Sequence, residues 1–205
     1  MKNIIFDFGN VIIRFDEDNI ISKFTNDPKE IEFIKNEIIN SPEWIGNGLM
    51  DTGFISHEDA ASLINDRTNN KYNELVNIFL QNYQKYMILN ENVINIIKLL
   101  KEKGYKIYML SNTNELTYNN FIYKIKDLFD GLVLSYEINM IKPYNGIYNY
   151  LLNKYNLKPE ESLFIDDRLD NMETANKLGI NGRKIIPNSE DDIKQVLKEY
   201  GVLND

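Results

Sequence analysis

Apolar and polar positions along the chain follow two rhythms. Asn3 to Phe8 is a short apolar run closing in Asp7-Phe8-Gly9. Its length and its lack of polar alternation predict a buried parallel strand. A second apolar piece, Val11 to Phe15, follows the glycine. From about 18 to 87 the spacing is helical throughout. Asp27-Pro28-Lys29-Glu30 has the form of a helix start, with Asp as cap, Pro first and Glu third. Ile31, Ile34, Ile38 and Ile39 then recur at helical intervals, and Ser41-Pro42-Glu43-Trp44 predicts another start. Ser56-His57-Glu58-Asp59 resembles a capping box ahead of Ala60, Leu63 and Ile64, and Leu75, Ile78 and Phe79 mark a further helix.

Beyond 88 the two rhythms alternate. Val93, Ile96, Ile97 and Leu100 predict an amphipathic helix stopped by Gly104. Lys106 to Leu110 is a strand, Leu116 to Ile125 a helix, and Gly131 to Ser135 a strand. Pro143 opens a helix carrying Ile147, Leu151 and Leu152, before a strand from Leu163 to Ile165. Met172, Ala175 and Leu178 lie on a helix ended by Gly179, Arg183 to Ile186 is a last strand, and a final helix runs from about Ser189. Alternation of this kind predicts an α/β fold: a Rossmann-like, doubly wound parallel sheet with helices on both faces. The expected core is 1–16 with 88–205, and the expected insert is a helical cap over 17–87.

Composition narrows the chemistry. The 205 residues suit one core with a small insert, and 43% hydrophobic content is enough to fill it. Lys plus Arg number 23 against 31 Asp plus Glu, a net charge of −8, which opposes a nucleic-acid partner. There is no cysteine, so Cys-ligated zinc and iron–sulfur sites are excluded. A single histidine, His57, cannot build a His-ligated metal site alone, and a Ser-His-Asp triad would need that one residue. His57 is expected near the surface of the cap. Trp44, Met50 and Phe54 are expected to pack the cap, with a substrate-facing place for one of them as the alternative. Asp7 interrupts the first apolar run and no small-residue cleavage site follows, so no signal peptide is expected. No run approaches a membrane span. The expected location is cytoplasmic.

Four polar clusters stand just after apolar strands: Asp7, Ser111-Asn112, Lys142 and Asp166-Asp167. Ligands of open α/β sheets bind beyond the carboxyl ends of the strands, so parallel strands would bring all four to one rim. Three carboxylates and one ammonium repel themselves on balance. A Mg²⁺ ion would neutralise the sum, and it favours carboxylates combined with water and a substrate phosphate. Ser111 offers a hydroxyl, and backbone N–H groups near Asn112 and Thr113 are expected at a helix start that suits an anion. Nucleophilic carboxylate, metal, anion cradle and ammonium together describe phosphoryl transfer.

These stretches carry a family resemblance. Asp7-Phe8-Gly9-Asn10-Val11, Leu110-Ser111-Asn112-Thr113, Ile141-Lys142-Pro143 and Phe164-Ile165-Asp166-Asp167-Arg168-Leu169-Asp170-Asn171 resemble, in order, the four motifs of the haloacid dehalogenase superfamily. The helical insert after the first motif is similar to the cap of its subfamily I. The first two motifs resemble in particular the bacterial α-D-glucose-1-phosphate phosphatase branch. The resemblance implies a Mg²⁺-dependent phosphatase acting on a small phosphorylated metabolite, for which a sugar phosphate is the candidate. It implies that Asp7 attacks phosphorus and forms an aspartyl-phosphate, and that the Gly9 carbonyl ligates Mg²⁺. Ser111 and Asn112 would hold phosphate oxygens, Lys142 would bridge Asp7 and the phosphate, and Asp167 would ligate the metal directly. Asp166 would do so directly or through water.

The match departs at Gly9. Most phosphatases of this family have there a second Asp that protonates the leaving oxygen and then activates water. General acid–base help is worth about 10²–10⁴-fold. Asp16 is a candidate replacement, and a good leaving group such as an anomeric phosphate would lessen the need. A smaller departure is Asn139, where relatives often have Gly; Asn tolerates the left-handed backbone. Alternatives are a metal-independent 2-haloacid dehalogenase, opposed by Asp166-Asp167, a phosphomutase, opposed by Gly9, and a non-catalytic protein binding phosphate or metal.

Overall fold

The computed structural model describes residues 1–44 and 48–203. Five strands form one parallel sheet: β1 (Asn3–Phe6), β4 (Lys106–Ser111), β5 (Gly131–Leu134), β6 (Ser162–Asp166) and β7 (Asn181–Lys184), in the order β5-β4-β1-β6-β7. Two short strands, β2 (Ile13–Arg14) and β3 (Ile88–Leu89), pair antiparallel beside it. The sheet is Rossmann-like and doubly wound. From β1 the chain moves to β4 and β5 on one side, then returns to β6 and β7 on the other. That reversal opens a crevice beyond the carboxyl ends of β1, β4 and β6.

Alternation along the strands divides the core into two layers. Ile4, Phe6, Ile107, Met109, Leu163 and Ile165 share one cluster with Val93, Ile97 and Leu100 of helix Glu91–Glu102 and with Ile193 and Leu197 of helix Glu190–Glu199. Ile5, Tyr108, Leu110 and Phe164 share the other with Ile147, Tyr148 and Leu151 of helix Asn145–Lys154 and with Ala175 of helix Leu169–Lys177. The uninterrupted apolar run of β1 follows from this: both of its faces are covered.

The insert between β2 and β3 contains helices Glu17–Ile21, Pro28–Phe33, His57–Arg67 and Asn73–Asn82. Asp27 caps the second by accepting from the N–H groups of Lys29 and Glu30, with Pro28 first. Ser56 and Asp59 form a reciprocal capping box on the third. The spacing of Ile34, Ile38 and Ile39 falls on a π-helical extension, Ile34–Ile39.

Several expectations need correction. Helix does not run throughout 18–87. Ser41-Pro42-Glu43-Trp44 begins a series of turns, in which Trp44 N–H donates to the Ser41 carbonyl and Leu49 N–H to the Pro42 carbonyl, both at 3.1 Å. Gly48 allows this reversal, because a Cβ there would collide with the Trp44 and Pro42 carbonyls. Only Ile13–Arg14 of the Val11–Phe15 piece is strand; tight turns on the Phe8 carbonyl, which accepts from the Ile12 and Ile13 N–H groups at 2.9 and 3.0 Å, use the rest. Leu116–Ile125 is helical as expected, with a π-helical stretch, Tyr118–Ile122, between α-helical turns at Glu115–Thr117 and Tyr123–Ile125. Ser135 begins a short helix, Ser135–Ile138, instead of ending β5. The helix expected at Pro143 starts at Asn145, since Tyr144 N–H closes a turn on the Ile141 carbonyl. The last strand lies two residues earlier than Arg183–Ile186, because pairing with Leu163–Asp166 selects Asn181–Lys184. Asn139 has φ of 54°, the left-handed backbone expected there. Among the described residues no helix is long and apolar enough to cross a membrane.

Candidate active site

The carboxyl ends of β1, β4 and β6, and the loop beyond helix Ser135–Ile138, deliver the functional groups to the crevice. Asp7 follows β1, held by its N–H donating to the Ile165 carbonyl of β6 at 2.9 Å. Ser111 and Asp166 end β4 and β6, and Asp167 comes next. Lys142 stands on the loop after helix Ser135–Ile138. Its Nζ lies 2.7 Å from Asp7 Oδ1 and 2.7 Å from Asp166 Oδ2. One oxygen from each of Asp7, Asp166 and Asp167 lies within 4.8 Å of the others.

Burial sets the electrostatics. Loss of water drives the Asp7 carboxyl up from 3.8 to about 7; Lys142 opposes the rise, and the charges of Asp166 and Asp167 add to it. Burial, then the Asp166 charge, also raises Asp167. Burial alone would lower the Lys142 amine, but the carboxylates of Asp166 and Asp7 hold it above its ordinary value. The cluster therefore has one cation too few, and a divalent ion fits that deficit.

Asp166 is anchored on both oxygens. Oδ1 accepts from the Arg168 N–H at 2.8 Å and the Asn171 amide at 3.0 Å, while Oδ2 accepts from Lys142 and again from Asn171. Asp167 is freer: it is only partly buried, and its Oδ2 accepts a long 3.5 Å bond from Asn10. Asn10 sits in the tight turn after Gly9 with φ of 52°.

The two residues expected to hold phosphate oxygens also make contacts within the protein. The Asn112 carboxamide clasps the Lys142 backbone, accepting from its N–H at 2.8 Å and donating to its carbonyl at 2.9 Å. Ser111 is fully buried and its hydroxyl donates to the Asn112 carbonyl at 3.3 Å. The expected helix start is displaced. The Thr113 N–H donates to Ser135 Oγ at 2.9 Å, and the helix begins after the cap Asn114 as a three-residue segment. Asp16 is not brought to the cluster. It caps helix Glu17–Ile21 and pairs with Arg14 at 2.8 Å.

A cavity of about 270 Å³ adjoins the cluster, lined by Asp7, Gly9, Asn112, Lys142 and Asp167 together with Phe15, Trp44, Asp51 and Met87. Of the three residues expected to pack the insert, Met50 does, Trp44 also lines the cavity, and Phe54 is 67% exposed. His57 opens its helix, half-buried, and stacks on Tyr83 at 6.4 Å; burial lowers its ring to about 4, so it is neutral at neutral pH.

Sequence reasoning passed over Asp51, Thr113 and Asn171. Thr113 Oγ1 and Asn171 Oδ1 are buried in the cavity wall without a hydrogen-bond partner. Both stand inside motifs already singled out, which was the available signal. Asp51 lies in the turn-rich stretch read as helix, where periodicity carries no information about facing.

Sheet topology and the rim of buried charge define an α/β protein with an acid-lined, single-lysine crevice. The model of the haloacid dehalogenase-like hydrolases matches residues 1–179, and the chain belongs to that family. It is 25% identical over 193 residues to a D-ribitol-5-phosphate phosphatase of Bacteroides thetaiotaomicron, covering 87% of this chain and 89% of that protein. It is also 25% identical to a sesquiterpene phosphatase of Aspergillus oryzae, with 88% of each chain covered. A haloacid dehalogenase family enzyme of Bacteroides thetaiotaomicron, solved with magnesium and inorganic phosphate, shares the fold with a TM-score of 0.74 at 24% identity, over 93% of this chain and 96% of that one.

Proposed function

We propose that this hydrolase is a Mg²⁺-dependent phosphomonoesterase acting on a small phosphorylated metabolite. The observation that carries the reading is the unbalanced cluster of Asp7, Asp166 and Asp167 around the one ammonium of Lys142. A buried site of that charge suits a divalent cation and a phosphate, and it would repel a simple carboxylate substrate. That is why a dehalogenase reading fits less well. Asp7, Asp167 and the Gly9 carbonyl would hold the ion, and Asp166, already saturated with donors, would act through water or by holding Lys142. When bound, the ion supplies positive charge that keeps the carboxylates ionised and draws in the phosphate.

Asp7 attacks phosphorus, the bond to the leaving oxygen breaks, and water then hydrolyses the aspartyl-phosphate. Lys142 holds Asp7 ionised and oriented, and contacts the transferred group. Asn112 fixes Lys142 in place. The Thr113 hydroxyl, which has no hydrogen-bond partner among the described residues, can donate to a phosphate oxygen beside Ser111. The insert closes the cavity as a cap and limits water. Inorganic phosphate release from sugar phosphates, polyol phosphates and p-nitrophenyl phosphate tests the reading. Release is expected with Mg²⁺ and is expected to vanish in EDTA; metal-independent release, or none, would sink it.

Gly9 supplies no acid, yet nothing about its backbone demands glycine. Its φ is not left-handed, and a Cβ there meets nothing within 4 Å. Gly9→Asp is therefore expected to fold, and to raise kcat on alkyl phosphates, whose leaving group needs a proton, by up to ~10²-fold. Anomeric phosphates, which leave more readily, should gain far less. Equal gains on both substrate types would argue that the leaving oxygen already has a proton donor.

A further inference from the structure

Lys142 Nζ holds two of the three clustered acids, Asp7 and Asp166. The third, Asp167, is held by Asn10, whose Nδ2 donates to Asp167 Oδ2 at 3.5 Å. Asn10 also lines the cavity. Its φ is 52°, a left-handed backbone that glycine adopts freely and most side chains avoid. Asn tolerates it where the carboxamide finds hydrogen bonds close by.

Backbone and side chain of Asn10 are both engaged. Its N–H donates to the Ile13 carbonyl at 2.7 Å, and its carbonyl accepts from the Asn188 N–H at 2.6 Å. Its Oδ1 accepts from the N–H of Phe15, another cavity residue, at 3.2 Å. The backbone bond to Ile13 bears on Gly9. A trans peptide is planar with its C=O and N–H opposed, so an Asn10 N–H fixed on Ile13 also fixes the direction of the Gly9 carbonyl. The loop after β7 braces the arrangement. Ile185 N–H donates to the Asp166 carbonyl at 3.0 Å and Asn188 N–H to Asn10, so one segment supports both the end of β6 and the turn after β1.

We infer that Asn10 is a positioning residue for the metal site: its turn fixes the Gly9 carbonyl, and its carboxamide orients Asp167. The inference rests on the phosphatase reading above, in which those two groups and Asp7 would hold the ion. A hydrogen bond that keeps a ligating carboxylate in one orientation is worth about 10–100-fold in metal affinity. A bond of 3.5 Å belongs at the low end of that range. The carboxamide has no charge, so it orients Asp167 without competing with a cation for it. Lys142 serves the other two acids differently, by neutralising them.

The test is calorimetric titration of Mg²⁺ into phosphate-free wild type, Asn10→Gly and Asn188→Gly, with the urea midpoint of each in EDTA. Asn188 is left-handed too, with φ of 63°, so glycine suits both backbones. Asn10→Gly removes only the carboxamide. Asn188→Gly keeps the N–H that donates to Asn10 and controls for added chain freedom. Asn10→Gly is expected to bind Mg²⁺ about tenfold more weakly than wild type, with a urea midpoint in EDTA close to that of wild type. Phosphate release should then need more Mg²⁺, with kcat at saturating Mg²⁺ changed less. Asn188→Gly should bind Mg²⁺ as wild type does. Wild-type affinity in Asn10→Gly overturns the inference whatever its urea midpoint, and so does equal weakening in both variants. An Asn10→Gly protein that does not fold overturns it as well, because the carboxamide would then serve the fold. In all three cases the phosphatase reading stands if wild type releases phosphate with Mg²⁺. A wild type that binds no Mg²⁺ and releases no phosphate from p-nitrophenyl phosphate overturns both.

Discussion

Asp7→Asn is expected to lower phosphate release by at least ~10³-fold, because a carboxamide cannot form the acyl phosphate. Its shape matches, so the loss should fall on kcat, with phosphate binding retained. Stability should move the other way. The Asp7 carboxyl rises from 3.8 to about 7 on folding, so the folded protein binds more protons than the unfolded chain between those values. A group of that sign destabilises increasingly as pH climbs through the window, and the full cost is present above about 7. In EDTA at pH 8, Asp7→Asn should therefore unfold at no lower a denaturant concentration than wild type. Mg²⁺ should narrow the difference by returning the missing charge. Turnover by the variant within tenfold of wild type would remove Asp7 from the chemistry. A clear loss of stability in EDTA would show that its pairing with Lys142 outweighs its burial.

Lys142→Met is expected to damage both fold and turnover. The side chain of Lys142 is 1% exposed, and its ammonium touches Asp7 and Asp166, themselves almost wholly buried. Methionine fills a similar volume but leaves two carboxylates facing each other with no counter-charge. Removing one partner of a buried pair costs about 3–5 kcal/mol. Activity should fall by roughly 10² to 10³-fold or more, the range seen when one electrostatic stabiliser is lost. Lys142→Arg separates the two effects. It restores the charge, so much of the stability should return. Its planar fork cannot occupy the point between two carboxylates held 2.7 Å from one Nζ, so activity should not. Urea midpoints and single-turnover rates on the three proteins check both parts. A Lys142→Met protein as stable as wild type would mean that protonation of Asp7 absorbs the loss.

The fold was legible because its signals are local or periodic. Asn3–Phe6 has to be buried on both faces, and its composition says so. Caps such as Asp27 and Ser56 are written within four residues of what they cap. The acids and the lysine were legible because charge ending an apolar run is costly unless used. Breaks in regularity were harder to read. The turns at 41–44 have helix-start residues, but Gly48 and the backbone contacts around it set the path. β3 has only two residues, and its identity comes from β2, far away in sequence.

What side chains face is likewise a long-range property. Asn112 and Thr113 are adjacent in sequence, yet one clasps Lys142 thirty residues on and the other keeps its hydroxyl in the cavity. Asp16 is the acid the sequence offers for the gap at Gly9, and Asp51 is not singled out there. Packing spends the first on a helix cap and an exposed arginine, and places the second on the cavity wall. Family, fold class and acidic chemistry follow from residue types and spacing, which act over a few positions. Which acids share a cavity follows from contacts between distant segments, 87 residues apart for Asn139 with Thr52 and 157 for Asn10 with Asp167, and those exist only in the folded chain.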